Sequence, residues 1–358
     1  MHLVHLRLRD FRNYGRLDAD FEPGFHLLLG ENAQGKTNIL EAIYLLTTLR
    51  SFRGVGNAQM ARHEHKGYFA GATVVGQGKH EIKMYWSVEE RSLTLDSQPV
   101  QRLSDYLGVL RTVVFCTEDL QLIKGPGRGR RRFLDLLLTQ TQSGYLQLLQ
   151  RYTQALRARN ALLKQPLFDP VALEGFSREL IRAGQEIIRL RRELVPELSA
   201  LAAQAYASMK AGAEELRLEY RPSVKKDFEV ELAQFKERER SYRMTILGPH
   251  RDELQLLLNE RPAGLFGSEG QKRALAIALK LAQTELLTRI HGGPPVLLID
   301  DIMGELDARR REGFMPLLER LRQTAGQVFM TATEERWPKE LAQQAHRWEI
   351  KSGTIRAL

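Results

Sequence analysis

The chain has 358 residues, of which 43% are hydrophobic and 27% charged, a composition ordinary for a soluble globular protein that can bury a real core. Lys and Arg outnumber Asp and Glu by 53 to 44, and the resulting +9 suits a polyanionic partner without identifying one. The single cysteine, Cys116, excludes an internal disulfide and any multi-cysteine metal site, and it fits a reducing compartment.

The N-terminus, Met1 to Arg9, carries charges where a signal peptide needs an apolar core. No run approaches the ~18 apolar residues of a membrane span. A cytoplasmic protein without a membrane partner is therefore expected. The first 110 or so residues read as strands and turns: Leu3 to Leu8 alternates, Phe25 to Leu29 is a buried strand, and Gly67 to Ser87 predicts one or two hairpins. Val113 to Phe115 is a further buried strand. The texture then changes, and residues 131–209 are poor in Gly and carry apolar residues at helical spacing. Leu180, Ile181, Ile187, Ile188, Leu190, Leu194, Leu198 and Leu201 outline a long helix, which Pro196 is expected to kink or interrupt. Mixed β structure returns from Glu215, Ser268 to Ile290 reads as a helix, and Val296 to Ile299 and Gln327 to Met330 read as strands. The pattern predicts one α/β domain built from both ends of the chain (1–125 and 215–358), with a helical lobe (126–214) inserted between them.

Gly30-Glu31-Asn32-Ala33-Gln34-Gly35-Lys36-Thr37 fits the pattern of a phosphate-binding loop, and it lies between the Phe25–Leu29 strand and a helix with Ile39, Leu40, Ile43 and Leu46 on one face. Its glycines let backbone N–H groups surround phosphate oxygens, and the helix aims its positive dipole end at them. Lys36 can reach the β- and γ-phosphates of ATP, and the Thr37 hydroxyl can bind Mg²⁺. Downstream, Val296 to Asp301 is an apolar strand ending in two carboxylates. Asp300 is placed to hold Mg²⁺ and Asp301 to orient the attacking water. Read alone, Asp301 is better explained as a cap or a surface acid after a core strand; paired with the loop, the catalytic reading is the stronger. Ser268-Glu269-Gly270-Gln271 opens an apolar helix and offers N–H donors to an anion.

Phosphate loop, then Ser268 to Gln271, then the strand with its acids: that order resembles the ATP-binding-cassette ATPases. In that family the signature (here Ser268, Glu269, Gly270, Gln271) completes the site of a second subunit, so ATP lies at a dimer interface. Glu305-Leu306-Asp307 resembles its interface loop. The usual switch histidine would fall near Thr331 to Thr333, where none exists.

Thr37 and Ser268 lie 231 positions apart, with neither a membrane segment nor a very long heptad array between them. Leu8 to Tyr14, Gly30 to Arg53, Phe115 to Leu120, Leu122 to Gly125, Arg131 to Asp135, Gly248 to Asp252 and Asp300-Asp301 all resemble motifs of the RecF family, a branch with a short helical arm. Thr117 stands where proline is common, and Gly304 replaces the usual serine before Glu305, a change that would loosen contacts across subunits. The resemblance implies an α/β cassette ATPase head, a parallel sheet plus an antiparallel β part, with an inserted helical arm and no long coiled coil. It also implies a weak DNA-dependent ATPase with ATP and Mg²⁺ as cofactors, a homodimer formed on ATP binding, and partners in double-stranded, gapped or junction DNA, RecR and RecO, serving to load RecA.

The residues add partial support for DNA. Lys124, Arg128, Arg130, Arg131 and Arg132 place five cations in nine residues, and residues 151–192 carry nine basic against four acidic side chains. Such surfaces would bind backbone phosphate without reading bases. Two other readings use the same loop: a P-loop kinase of a small metabolite, and a DNA scaffold with structural ATP.

Overall fold

The computed structural model describes residues 1–167, 169–209, 214–301, 315–316, 318–319, 326–333 and 345–358. Packing divides the chain into two units, each assembled from separated segments. The first comprises Met1–Leu120, Gln204–Ala213 and Arg273–Leu358, and the second Gln121–Ala203 with Glu214–Lys272.

The first unit holds a six-stranded sheet in the order Thr354–Ala357, His346–Lys351, Gly24–Leu29, Gln327–Ala332, Val296–Asp300, Thr112–Phe115. Every pairing is parallel except that of the C-terminal hairpin. Val296 to Ile299 are fully buried, because a strand covered on both faces has no solvent side on which polar residues could alternate. Register places Asp300 beside Thr331, and Thr331 beside Leu28. The loops that follow these strands therefore leave from one edge of the sheet, the place where open α/β sheets bind ligands. The helix Lys36–Thr48 packs on the same strands, with Ile39, Leu40, Ile43 and Leu46 fully buried. Each such side chain contributes roughly 1.5–3 kcal/mol by leaving water.

A second, antiparallel sheet runs in the order Tyr14–Asp20, His2–Phe11, Gly67–Val75, Lys79–Ser87, Arg91–Leu95, Gln98–Pro99. Gly67 to Ser87 forms a single hairpin. Leu3, Leu6 and Leu8 are all buried, although simple alternation would turn Leu3 away from the other two. A register shift between Leu3 and His5 restores their common face.

The second unit contains the helices Gly127–Thr141 and Tyr145–Leu163, most of Pro170–Ser208, and a sheet ordered Arg261–Pro262, Glu253–Leu258, Leu216–Arg221. The long helix runs 39 residues through Pro196 without interruption. Pro196 and Arg192 lie on its exposed side, where the carbonyl that loses its partner can meet water. Residues 214–272 pack here, whereas their β-rich texture had suggested the loop-bearing domain. Buried charge explains the arrangement. Arg191, 2% exposed, donates to Asp135 Oδ1 at 2.7 Å, to Pro249 O at 2.8 Å and to Asp252 Oδ2 at 3.2 Å. Tyr220 also donates to Asp252. Arg159, equally buried, donates to Glu239 at 2.5 Å, Thr245 at 2.8 Å and Ser177 at 2.9 Å. Removing one member of such a set strands a charge in the interior, at a cost of about 3–5 kcal/mol. Helical spacing cannot reveal these anchors.

Each unit also holds a neutral histidine away from water, His26 buried and His250 half-buried. His26 Nε2 donates to Glu22 O at 2.7 Å while Nδ1 accepts from Trp348 Nε1 at 3.1 Å. His250 Nε2 donates to Thr245 O at 3.1 Å and Nδ1 accepts from the Tyr152 hydroxyl at 2.6 Å. Burial pulls both from 6.5 down to about 4. Between those values the unfolded chain binds more protons than the folded one, so stability falls as pH drops from about 6.5 toward 4 and is fully retained above. The thermal midpoint of wild type should decline from pH 6.5 to 5, and that of His250→Gln should decline less steeply. Equal slopes would contradict the assignment.

Candidate nucleotide-binding site

Backbone conformation shapes the loop before any side chain does. Gly35 has φ +116°, and a Cβ there would lie 2.6 Å from Asn13 Nδ2 and 2.9 Å from the Tyr14 hydroxyl. Ala33 also occupies the left-handed region, at φ +66°. Left-handed residues alternating with an ordinary one, as Ala33 and Gly35 do around Gln34, turn N–H groups toward one concavity, the geometry of an anion nest. Gly30 is fixed by crowding of another kind, since a side chain would run into the backbone carbonyl of Ile350.

Lys36 begins the helix and curls back over the loop, its Nζ donating to Gly30 O at 2.6 Å and to Glu31 O at 2.8 Å. Burial lowers its ammonium below the ordinary lysine value, and Asp301 and Asp300 push it back up. Thr37 Oγ1 donates to Asp300 Oδ1 at 2.8 Å, joining the two motifs across 263 positions. Thr331 Oγ1 donates to the same oxygen at 2.9 Å and accepts from the Asp301 N–H at 3.0 Å. Burial raises the Asp300 carboxyl above the ordinary carboxylate value, and the hydrogen bonds from Thr37 and Thr331 oppose that rise. Thr331, in the stretch where a histidine is expected, thus ties both acids to the neighbouring strand.

These groups suit Mg²⁺. A hydroxyl and a carboxylate, both hard oxygen donors, are already held within hydrogen-bond distance beside the loop. Thr37 and Asp300 would hold the ion, whose charge would offset that of the phosphates.

Residues with no role read from spacing hold the loop and its helix in place. Asn13 Nδ2 donates to Gln34 O at 2.8 Å, and Asn38 Nδ2 donates to Asn13 Oδ1 at 2.8 Å. The Tyr14 hydroxyl donates to Gly35 O at 3.1 Å, and Ser352 N donates to Gln34 Oε1 at 2.7 Å. Glu41, fully buried on the loop helix, accepts both Arg12 Nε at 2.8 Å and an Arg12 terminal nitrogen at 2.7 Å, and also the Ser51 hydroxyl. Lys280, from the helix Glu269–His291, pairs at 2.9 Å with Asp119, which caps the turn at Cys116. Family likeness marked several of these residues, but spacing assigned none of them a role.

The signature lies in the second unit. Ser268 N donates to Gln271 Oε1 at 2.7 Å and Gln271 N donates to Ser268 Oγ at 3.2 Å, a reciprocal capping box. Gln271 Nε2 donates to Glu214 at 2.6 Å, and Glu269 accepts from Lys124. Glu305, Leu306 and Asp307 lie outside the described residues.

The cations proposed for DNA are largely engaged within this unit. Arg130 makes a two-pronged pair with Glu253, at 2.7 and 3.0 Å, and Arg131 donates to Asp252 O at 2.7 Å. Arg132 also has an interaction within the protein, and Arg128 is exposed. On the helical segments, Arg151, Arg178 and Arg189 pair with Glu179, Glu174 and Glu186, while Arg157, Arg182 and Arg192 are exposed. The positive face is thinner than the residue count implies. No described helix is long and apolar enough to cross a membrane.

Comparison with known proteins follows the same lines. The model of the RecF/RecN/SMC N terminal domain matches residues 2–354. The DNA replication and repair protein RecF of Desulfitobacterium hafniense is 37% identical over 346 residues, covering 93% of this chain and 94% of that protein. Its counterpart in Symbiobacterium thermophilum is 36% identical over 376 residues, covering 99% and 98%. Among solved structures, the recombination mediator protein RecF with ATP, of the RecFOR pathway, aligns with TM-score 0.90 at 28% identity, covering 100% of this chain and 97% of that one. An Smc head domain from Pyrococcus furiosus, with TM-score 0.59 at 15% identity, shares the fold. A family match over nearly the whole chain, with relatives of this identity and coverage, shows that the chain belongs to the RecF family of the RecF/RecN/SMC class.

Proposed function

We propose that the chain is an ATP-dependent DNA-binding protein of recombinational repair and replication restart, in which ATP pairs two copies into a clamp on double-stranded or gapped DNA. The observation that carries this reading is the bond from Thr37 to Asp300, beside Lys36, which assembles phosphate and Mg²⁺ ligands from opposite ends of the chain. Relatives named DNA replication and repair protein, and a solved RecF holding ATP, support it.

In the mechanism, Gly30 to Thr37 bind the phosphates, and Lys36 leaves its two carbonyl partners to meet the β- and γ-phosphate oxygens. Ser268 and Gly270 of a second copy approach the γ-phosphate. ATP favours the pair because only there does it meet both half-sites. Asp301, anchored through its N–H to Thr331, orients the attacking water. The water's oxygen bonds the γ-phosphorus as the bond to the β–γ bridging oxygen breaks, and its protons pass to the phosphate and solvent. ADP and phosphate result, contacts across the pair are lost and DNA is released. RecR and RecO are the proposed partners for RecA loading.

Lys36→Ala should abolish both ATP binding and ATP-induced pairing in sedimentation. Asp301→Asn should retain both yet remain on DNA after excess ATP is added. A pair that forms equally without nucleotide, or a monomer hydrolysing at full rate on high dilution, would sink the proposal. Thr331→Val removes the tether of both acids. It should slow hydrolysis about 10–100-fold while changing nucleotide affinity less than about threefold, as expected when a group that orients a catalytic residue is lost. An unchanged turnover would show that Thr331 only packs.

A further inference from the structure

The signature carries a charge at odds with its proposed role. Glu269 is the first residue of the helix Glu269–His291. Free N–H groups and the macrodipole at a helix start favour an anion, and a carboxylate in that turn both competes for them and repels an arriving phosphate. The protein does not leave Glu269 uncompensated. Lys124, the last residue of the helix Leu120–Lys124, donates to Glu269 Oε2 from 145 positions away. Lys272 lies 3.5 Å from the other oxygen, Oε1. Both carboxylate oxygens are thereby drawn to cations, and the Lys124 bond holds the carboxyl below its ordinary value. Gln271 is fixed separately, through Ser268 and Glu214.

We propose that Lys124 is a positioning residue of the composite site: by holding and neutralising Glu269, it leaves the start of the signature helix open to the γ-phosphate presented by a second copy. This rests on the signature acting between copies, and it gives Lys124 a role other than direct contact with DNA. Lys272, one turn along the same helix, shares the neutralisation from the weaker distance.

The test is a cycle of full-length wild type, Lys124→Ala, Glu269→Gln and the double variant. Pairing is followed by sedimentation with a non-hydrolysable ATP analogue, and loop affinity with a fluorescent nucleotide. Lys124→Ala should weaken pairing on the order of tenfold at low salt, as one unscreened charge near a phosphate would, and the deficit should shrink as salt rises. Its nucleotide affinity should match wild type. Glu269→Gln should pair at least as tightly as wild type, and the double variant should return to within about twofold of Glu269→Gln, since no charge then remains to neutralise. Lys124→Ala pairing like wild type would overturn the inference. So would a double variant as weak as Lys124→Ala. A wild type that stays monomeric at saturating analogue would defeat the reading beneath it, a result recognisable because no variant could then differ from it.

Discussion

Two hydrogen bonds to one carboxylate oxygen hold the two ends of this chain in a common site. Thr37 belongs to the loop helix and Thr331 to a late strand, and both donate to Asp300 Oδ1. The pairing depends on register. Asp300 lies beside Thr331 and Thr331 beside Leu28, so the three strands end together and their loops share one edge. A slip of one residue along any of these strands would turn Asp300 or Thr331 to the opposite face of the sheet. Burial of Asp300 makes the bonds consequential, because a desolvated carboxylate needs donors to remain charged.

Around that trio the molecule invests mainly in immobility. Asn13, Tyr14 and Ser352 hold the loop through bonds to Gln34 and Gly35. Glu41 draws Arg12 and Ser51 onto the loop helix, and Lys280 secures the turn that carries Asp119. A phosphate site needs fixed N–H directions as well as particular side chains, and these supports hold the backbone that supplies them.

Much of the first unit was legible because its signals are local. Phe25 to Leu29 and Val296 to Ile299 are apolar runs, and the loop between strand and helix follows from glycine placement. The register shift that gathers Leu3 with Leu6 and Leu8 leaves no local mark, and the C-terminal hairpin joins the sheet by pairing with the distant strand Gly24–Leu29. The second unit was harder to read because charge rather than hydrophobic period decides what joins it. Arg159 and Arg191 look like solvated helix positions until Glu239, Asp135 and Asp252 are found around them. The same cause thins the basic face. Arginines that a count assigns to DNA are already bonded within the protein, and Lys124 is bonded to the signature. Thr331 was noticed only as the place of a missing histidine, since a threonine on a strand carries no signal of its own.

The central claim is that the phosphate loop of one copy works with the signature of another. The most direct measurement mixes two inactive variants, Lys36→Ala and Ser268→Arg, and follows ATP hydrolysis. A mixed pair contains one site with an intact loop and an intact signature, so activity should rise well above the sum of the two variants alone. A mixture no more active than that sum would contradict the account.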